Sequence, residues 1–355
     1  MTSVFNPKPP PVPALAPAAN AERSPFGLQG FFVLAVFVAL AAYPMMAGRF
    51  GIDLITKIMI FAIFAMSLEL LVGGVGLVCF GQAAFFGIGA YAAVLLSPAD
   101  APAGLLWLAP AAVISAALYA LVVGALALRT RGVYFIMVTL AFAQMAYYVV
   151  HDTPLGGGTD GIYLLQKPVL GDWLDLDRPL TLYAVALGSL IATFGLLAQL
   201  ARSRFGRALA GIRVNEQRMR AVGFATYPYK LAAFTLSGAL AGLAGFLFAV
   251  KDGFVNPELL SWHFSGSVLM MVILGGIGHL RGALIGAFAF ALLQEAFADE
   301  ALFGALAKHW HLSLGLTIIA SVALLPKGLV GVPQQLRDRL LGRESRRARA
   351  QESAS

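Results

Sequence analysis

Charged side chains are scarce in this sequence. Only 12% of the 355 residues are Asp, Glu, Lys or Arg, which is about half of the roughly 25% that is usual in soluble domains. Hydrophobic residues make up 59% of the chain, and its mean hydropathy is +0.80. This composition excludes a soluble globular protein and indicates a membrane protein.

Cysteine is almost absent as well. The single cysteine, Cys79, excludes an intramolecular disulfide and a cysteine-based metal site. No G-x-x-x-x-G-K-[ST] run that would cradle ATP phosphates occurs, and no Ser/His/Asp arrangement is visible. No metal-binding spacing relates the five histidines, which are His151, His263, His279, His309 and His311. The sequence therefore predicts a protein that is not an enzyme and holds neither a metal nor a cofactor.

Long uncharged runs are what the sequence has instead. Each comes close to, or exceeds, the roughly 18–20 residues that cross a bilayer as a helix. Backbone groups in hydrocarbon must be hydrogen-bonded internally, so these runs are predicted helices of an all-α, polytopic membrane protein. The six runs without Asp, Glu, Lys or Arg are 30–48, 76–97, 103–128, 132–150, 180–200 and 231–250.

Four further apolar segments complete the predicted set of spans. They are 54–72, 264–278, 282–297 and 311–326. The segments 264–278 and 282–297 flank the polar sequence "GHLRG", so either both cross the membrane or they form a re-entrant pair. The prediction is therefore ten transmembrane helices, or eight plus a re-entrant pair. Both counts place the two termini on the same side.

Basic residues predict which side that is. Residues 202–230 and the C-terminal tail are rich in arginine, whereas the loop 151–179 contains five Asp residues. The positive-inside rule places the two basic segments, and hence both termini, in the cytoplasm. Retained Lys and Arg also explain the net charge of +7 without invoking nucleic acid. The predicted organisation is a disordered Pro/Ala-rich cytoplasmic tail at 1–26, a permease domain at 27–331 and a basic cytoplasmic tail at 332–355.

Charge is most concentrated in "SRFGRALAGIRVNEQRMRAVG", residues 203–223, where five arginines surround Glu216. Phe205, Leu209, Ile212 and Met219 recur at helical spacing, which predicts a short amphipathic helix. One interpretation is an interfacial helix whose arginines contact anionic lipid of the bilayer. The other is a docking helix whose apolar stripe fills a groove of a soluble partner while its arginines make charged contacts.

Four stretches of the sequence resemble one protein family. The loop 203–223 and "KLAAFTLSGALAGLAGFLFA" at 230–249 resemble the cytoplasmic loop and next helix of permease subunits of branched-chain amino acid ABC transporters. The resemblance covers about residues 50–331. The other stretches, in the family order, are "GGVGLVCFGQAAFFGIGAY" at 73–91, "LRTRGVYFIMVTLAFAQM" at 128–145 before "GGGTDGI" at 156–162, and "MMVILGGIGHLRGALIGA" at 270–287 before "LLPKGLVG" at 324–331.

Some positions depart from the family pattern. Glu216 and Gly223 match the ends of its Glu–Ala–Ala…Gly loop motif, but Gln217, Arg218 and Met219 replace the small residues. In the stretch 73–91, Cys79 stands where Ser is usual. Just upstream of this stretch, Glu69 stands where Asn is usual.

The resemblance implies a function and a set of partners. A member of this family would be the permease subunit of an ABC importer in the cytoplasmic (inner) membrane. It would move a branched-chain amino acid, or a related small apolar amino acid, amide or urea, inward. Separate ABC ATPase subunits would supply the energy, and a second permease subunit and an extracytoplasmic substrate-binding protein would complete the importer. The coupling loop to the ATPase would then include Phe205, Gly206, Arg207, Ile212, Arg213, Glu216 and Gly223.

A stand-alone secondary transporter of small amino acids is the alternative function. Such proteins usually keep ionisable residues near the middle of the membrane. Here the candidates, Lys57 and Glu69, fall near the ends of a span, which favours the ABC importer.

The translocation path is expected along a broken helix. A half-helix beginning in "GQAAFFGIGAY" would present its N-terminus to a carboxylate, with Gln82 and Phe85 beside it and Tyr134 on a neighbouring span. Packing within an unbroken helix is the alternative. Gly158 and Asp160 are candidates for an outer gate or a binding-protein contact, or else form a simple turn.

Small residues at four-residue spacing indicate close helix packing. The contact is expected within this subunit or, alternatively, with a second permease subunit. The residues are Gly238, Gly242, Gly278, Gly282 and Gly286.

Overall fold

Apolar helices form at each predicted span. A computed structural model describes residues 28–46, 48–98, 103–170, 174–299, 303–325 and 328–331, so the predicted tails at 1–26 and 332–355 lie outside it. The helices are α1 (Leu28–Ala42), α2 (Arg49–Glu69), α3 (Gln82–Leu95), α4 (Leu105–Ala127), α5 (Val133–Asp152), α6 (Pro179–Arg202), α7 (Arg204–Val214), α8 (Glu216–Ala221), α9 (Thr226–Asp252), α10 (Trp262–Gly275), α11 (Leu280–Ala298) and α12 (Trp310–Leu324).

Short strands interrupt this otherwise helical fold. They are β1 (Ile162–Tyr163), β2 (Val169–Leu170), β3 (Leu174–Asp175) and β4 (Phe254–Val255). β1 pairs antiparallel with β4, with Ile162 opposite Val255, and β2 pairs antiparallel with β3. The β1–β4 pair joins the acidic loop that follows α5 to the segment that follows α9.

Helix length and composition identify a polytopic membrane protein. Within the described residues, six segments are long and apolar enough to span a bilayer; they are Arg49–Val75, Leu105–Ala127, Val133–Asp152, Pro179–Arg202, Thr226–Asp252 and Leu280–Ala298. α3 and α10 have 14 residues each, which is about 21 Å at 1.5 Å per residue. The number of crossings and the side of the termini stay predictions.

α2 and α9 form the centre of the bundle. Almost every side chain of α2 from Ile58 to Glu69 is buried. Aromatic rings fill the space between α2, α3, α9 and α10: Phe64 lies 4.7 Å from Phe86 and 5.4 Å from Phe264 between ring centroids, and Phe86 lies 5.5 Å from Phe248. The core therefore centres on these helices, one side of α4 joins it through residues such as Leu108 and Val123, and α5 is largely exposed.

The span predicted at 76–97 begins with an irregular segment, so of the two alternatives the half-helix beginning in "GQAAFFGIGAY" is the one observed. α2 continues as a π-helical turn over Leu70–Val75, which ends at Gly76 with a φ of +81°. α3 then starts only at Gln82. The Gln82 amide group donates to the hydroxyls of Ser67 and Ser237, each at 2.9 Å, so this helix start lies inside the protein beside the middle of α9. Irregular backbone at membrane depth is tolerated where protein surrounds it in this way.

The basic and acidic loops lie at opposite ends of the bundle. α9 has 27 residues, or about 40 Å of helix. Its first residue, Thr226, contacts the basic loop through Glu216, and its last residue, Asp252, directly precedes the β1–β4 pair. At that second end Lys251 also pairs with Asp53 at the start of α2, at 3.1 Å. The end at α7 and α8 is called the α7 end, and the other the β1–β4 end.

Candidate functional site

The predicted amphipathic helix of the basic loop is two helices, α7 and α8, that meet at Asn215. Ser203 caps α7 by accepting a hydrogen bond from the Gly206 N–H at 3.2 Å. Asn215 caps α8 by accepting one from the Arg218 N–H at 2.9 Å. Such caps satisfy N–H groups that have no partner in the first helical turn. Gly223, with a φ of +92°, follows the end of α8.

The apolar stripe of α7 faces the protein's own membrane helices. Leu209 packs with Val75 of the π-helical turn and Ala233 of α9. Phe205 stacks on Tyr229 with 5.6 Å between ring centroids, and Ile212 is buried too. These contacts already cover the apolar stripe of α7. The structure differs on this point from both interpretations of the sequence, which placed the stripe in a partner's groove or at a lipid interface.

The opposite face of α7 and α8 is open, basic and partly apolar. Val214 is 82% exposed and Val222 is 71% exposed. Arg213 and Arg220 are also exposed, but their guanidinium groups donate to the Gly73 carbonyl oxygen and to Glu216. The α7–α8 surface consists of these two valines with the exposed Arg204, Arg207 and Arg218. It combines apolar contact area with groups that bind carboxylates, which suits a protein partner.

Glu216 fixes this surface to α9. Its carboxylate oxygen Oε1 lies 3.0 Å from Lys230 Nζ and 2.5 Å from Arg220 Nη2, and it accepts a hydrogen bond from the Thr226 hydroxyl at 3.0 Å. Lys230 and Thr226 belong to α9 and are buried, Lys230 with 5% of its surface exposed. Glu216 therefore connects α8 to α9, and its side chain is 22% exposed.

The environment of Glu216 lowers its pKa. Partial burial alone would raise the pKa, but the hydrogen bond and charge of Lys230, together with the hydrogen bonds from Thr226 and Arg220, lower it from 4.5 to about 2. A depressed pKa stabilises the folded state above the unfolded pKa, and this stabilisation is lost as the pH falls towards the folded pKa.

We expect α8 to loosen on acidification between about pH 4.5 and about pH 2. A spin label on Ala221→Cys should be immobile at pH 7 and become mobile in that window. The same label on a Glu216→Gln background should show no transition there. A mobility that is independent of pH in both proteins would contradict the ion pair.

The three residues predicted for a translocation path do not share a surface in this structure. Gln82 and Phe85 have no exposed surface and lie in the core. Tyr134, by contrast, is 74% exposed near the start of α5. Phe85 contacts the rings of Tyr119 and Phe234 at 6.0 and 5.5 Å between centroids, which is a packing role.

An open groove on α5 is a feature that sequence reasoning missed. Its volume is about 620 Å³, and it is lined by Ala141, Gln144, Met145, Tyr148, Val149 and Thr153. Gln144 lies near the middle of α5, a helix with few buried residues. The sequence could have indicated this groove through Gln144, a polar amide in the middle of an uncharged span, because amide groups are costly to expose to lipid.

The residues predicted for an outer gate lie at the β1–β4 end. Gly158 and Asp160 form a single 3-10 turn after α5. The Asp160 carboxylate is exposed and accepts a hydrogen bond from the neighbouring Thr159 hydroxyl at 3.3 Å. The next residue, Gly161, has a φ of +71°, and a Cβ there would lie 2.2 Å from the Val255 carbonyl oxygen. The turn therefore fits closely against β4.

The packing glycines lie at contacts inside this chain. A Cβ on Gly238 or Gly242 of α9 would lie 2.3 Å from Ala120 or Ala116 of α4. On Gly282 and Gly286 of α11 it would lie 2.6 and 2.0 Å from carbonyl oxygens of Gly276 and Met271. Gly278 is different, because its φ is +91° and the Arg213 guanidinium covers it. These distances favour packing within the subunit over contact with another permease.

Comparisons with known proteins agree with the fold class. A family model described as "Branched-chain amino acid transport system / permease component" matches residues 50–322. The chain is 32% identical over 325 residues to LivM, the high-affinity branched-chain amino acid transport system permease protein, of Escherichia coli K12, covering 85% of this chain and 75% of LivM. LivM of Salmonella typhimurium gives the same identity and coverage.

A more distant relative matches part of the chain. The autoinducer 2 import system permease protein LsrC of Escherichia coli K12 (DH10B) is 32% identical over 144 residues, covering 37% of this chain and 42% of LsrC. No solved structure matches the chain.

Proposed function

Because the chain belongs to the family of branched-chain amino acid transport system permease components, we propose that it is the permease subunit of an ABC importer of the cytoplasmic (inner) membrane. Its proposed substrate is a branched-chain amino acid, or a related small apolar amino acid, amide or urea, which it moves inward. The long match to LivM supports this substrate class. Family membership itself makes the chain a transport component and not an enzyme.

The observation that carries the proposal is the α7–α8 surface. It is exposed and basic, and it is fixed to α9 by the Glu216–Lys230 ion pair at 3.0 Å. A surface that receives force from an ATPase must be both accessible to the partner and attached firmly to the membrane helices. The α7–α8 surface meets both requirements, so we place the ATPase subunits there and the α7 end in the cytoplasm.

The translocation path is proposed beside α5. The groove around Gln144 and Tyr148 is open, and the exposed Tyr134 lies on the same helix. A second permease subunit facing α5 would shield Gln144 from lipid and enclose the groove as a path of mixed polarity. Gln82 and Phe85 then support the path from the core without lining it in this conformation.

The β1–β4 end is the proposed contact for an extracytoplasmic substrate-binding protein. Asp160 and Gly158 lie there on the exposed turn after α5. Because the β1–β4 pair joins this turn to the segment after α9, binding at the turn would act on both helices.

The match to transport-system permease components does not favour a stand-alone secondary transporter. Glu69 is held by a backbone N–H at 2.7 Å, and Lys57 lies with its ammonium 5.9 Å from the Phe61 ring centroid. Both residues thus make contacts within the protein.

Co-purification tests the proposal. We expect a tagged wild-type chain, extracted gently from native membranes, to carry an ATPase subunit and a second permease. Arg204→Glu/Arg218→Glu should lower the recovered ATPase about fivefold or more, since like charges opposed across an interface cost several kcal/mol. The matched control is Arg131→Glu, an exposed arginine at the turn between α4 and α5. A preparation free of ATPase that takes up amino acids when reconstituted alone would establish the secondary transporter instead.

A further inference from the structure

A buried carboxylate joins two elements of the α7 end that are far apart in sequence. Glu69 is the last residue of α2, and its side chain is buried, with 4% of the residue exposed. Its Oε1 accepts a hydrogen bond from the N–H of Gly278, in the turn between α10 and α11, at 2.7 Å. A Cβ on Gly73 would lie 1.9 Å from that oxygen, so the absence of a side chain at this position leaves room for the carboxylate to reach the turn.

An arginine of α7 lies at the same point. The Arg213 guanidinium donates a hydrogen bond to the Gly73 carbonyl oxygen in the π-helical turn. It also covers Gly278, because a Cβ on that glycine would lie 3.3 Å from Arg213 Nη1. Glu69, Gly73, Arg213 and Gly278 form what we call the Glu69 junction, where α2, α7 and the α10–α11 turn meet.

Glu69 and Arg213 hold the same turn from two different elements. The Glu69 carboxylate binds the Gly278 N–H from the end of α2, and the Arg213 side chain lies against the same glycine from α7. A displacement of α7 therefore changes the contacts of the turn that Glu69 binds.

The backbone of the α10–α11 turn depends on glycine. It contains Gly276 and Gly278 with φ values of +113° and +91°, a conformation that glycine adopts without steric cost. A few residues at the end of a helix can absorb the backbone rotation of a hinge. Glu69 and Arg213 contact this turn on one side and Gly328 contacts it on the other.

We propose that Glu69 and Arg213 are positioning residues that transmit the displacement of α7 to α2 and to the α10–α11 turn. Moving α7 withdraws Arg213 from Gly73 and Gly278, so that the turn keeps only its hydrogen bond to Glu69 on this side. The turn is then free to change angle. The coupling is reciprocal, so reorientation of the turn also shifts the preferred position of α7. This inference rests on the proposed ABC importer function.

The test uses the complete importer, with its ATPase subunits and partner permease, in proteoliposomes. Arg213→Ala removes the side chain that contacts Gly73 and Gly278, and Glu69→Ala removes the acceptor of the Gly278 N–H. Arg131→Ala is the matched control. ATP hydrolysis, substrate uptake and the distance between spin labels on Ile277→Cys and Arg129→Cys are measured with and without trapped nucleotide. The native Cys79 is buried, so labels attach to the introduced cysteines.

For both junction variants we expect the ATP hydrolysed per substrate moved to rise about fivefold or more, as is typical for loss of coupling between sites. The nucleotide-dependent change in label distance should also be lost, while the ATPase stays bound. A merely structural role would lower protein yield but leave that distance change intact, and this result would overturn the proposal. Uptake by the wild type without ATP would overturn the proposed function itself, and the transmission role with it.

Discussion

Replacing Glu216 with Ala will lower uptake about tenfold or more, while the amount of protein in the membrane stays near the wild-type level. The substitution removes the carboxylate that binds Lys230, Arg220 and Thr226. Lys230 is then a buried cation without its partner, a situation that costs about 3–5 kcal/mol when fully buried. We expect α8 to detach from α9, so that movement of the ATPase no longer reaches the membrane helices.

Insertion should survive because the membrane helices do not depend on Glu216. Their stability in the bilayer comes from their uncharged length and from contacts among α2, α3, α9 and α10. Uptake is measured with labelled substrate, and membrane levels are measured by quantitative immunoblot of the same vesicles. ATP turnover of the complex is measured in parallel, since an uncoupled importer continues to hydrolyse ATP or loses its stimulation by substrate.

Two further variants separate coupling from stability. Glu295→Ala makes the same change at an exposed position of α11 and should leave uptake unchanged. Adding Lys230→Met to Glu216→Ala removes the unpaired cation, and removing both partners is less damaging than removing one. The double variant should therefore regain thermal stability without regaining uptake. Normal uptake by Glu216→Ala, at unchanged ATP turnover, would refute the supporting role of this residue.

Three surfaces divide the proposed work of the subunit. The α7–α8 surface receives the ATPase, the Glu69 junction links it to α2 and the α10–α11 turn, and the α5 groove faces the second permease. The first two of these surfaces are directly connected, because the Arg213 side chain belongs to α7 and also reaches the Gly73 carbonyl at the end of α2. The same arrangement explains why charge is concentrated in one loop of an apolar chain.

Helix positions could be predicted because they depend on local composition. The absence of charge over a run such as 103–128 is sufficient to predict a helix in hydrocarbon, and α4 (Leu105–Ala127) lies within it. For the start of α3 the sequence left two interpretations, a half-helix beginning in "GQAAFFGIGAY" or an unbroken helix, and the first is observed. The division between α7 and α8 had a signal in Asn215, a favoured cap residue, that the helical periodicity of the loop obscured.

Orientation and long-range contacts could not be predicted in the same way. Helical spacing of Leu209 and Ile212 shows that α7 has an apolar side, but not which surface covers it. The bond between Glu69 and Gly278 joins residues 209 positions apart, and no local pattern reports such a distance. The two-residue strands β1 and β4 are too short for an alternating pattern to predict them.

Replacing Gly245 with Ala will destabilise the protein more than any comparable change at a glycine on the outside of the bundle. A Cβ at Gly245 of α9 would lie 1.8 Å from the Phe86 carbonyl oxygen and 3.1 Å from the Ala90 nitrogen of α3. Both atoms belong to the helical backbone, so no side-chain rotation can relieve the overlap. α3 must move away from α9, which separates Gln82 from Ser237 and opens the aromatic contacts around Phe86.

The control for Gly245→Ala is Gly188→Ala on α6, where no other atom lies within 4 Å of the added methyl group. Alanine favours a helix over glycine by about 1 kcal/mol, so this variant should be as stable as the wild type or slightly more so. Overpacking at Gly245 should cost about 1–3 kcal/mol or more, and both effects are read as shifts of thermal unfolding in detergent. Because α3 and α9 are central to the bundle, Gly245→Ala should also abolish uptake. Equal unfolding temperatures for the two variants would show that α3 and α9 are not packed as closely as described. The position of the α3 start beside the middle of α9 would then be refuted.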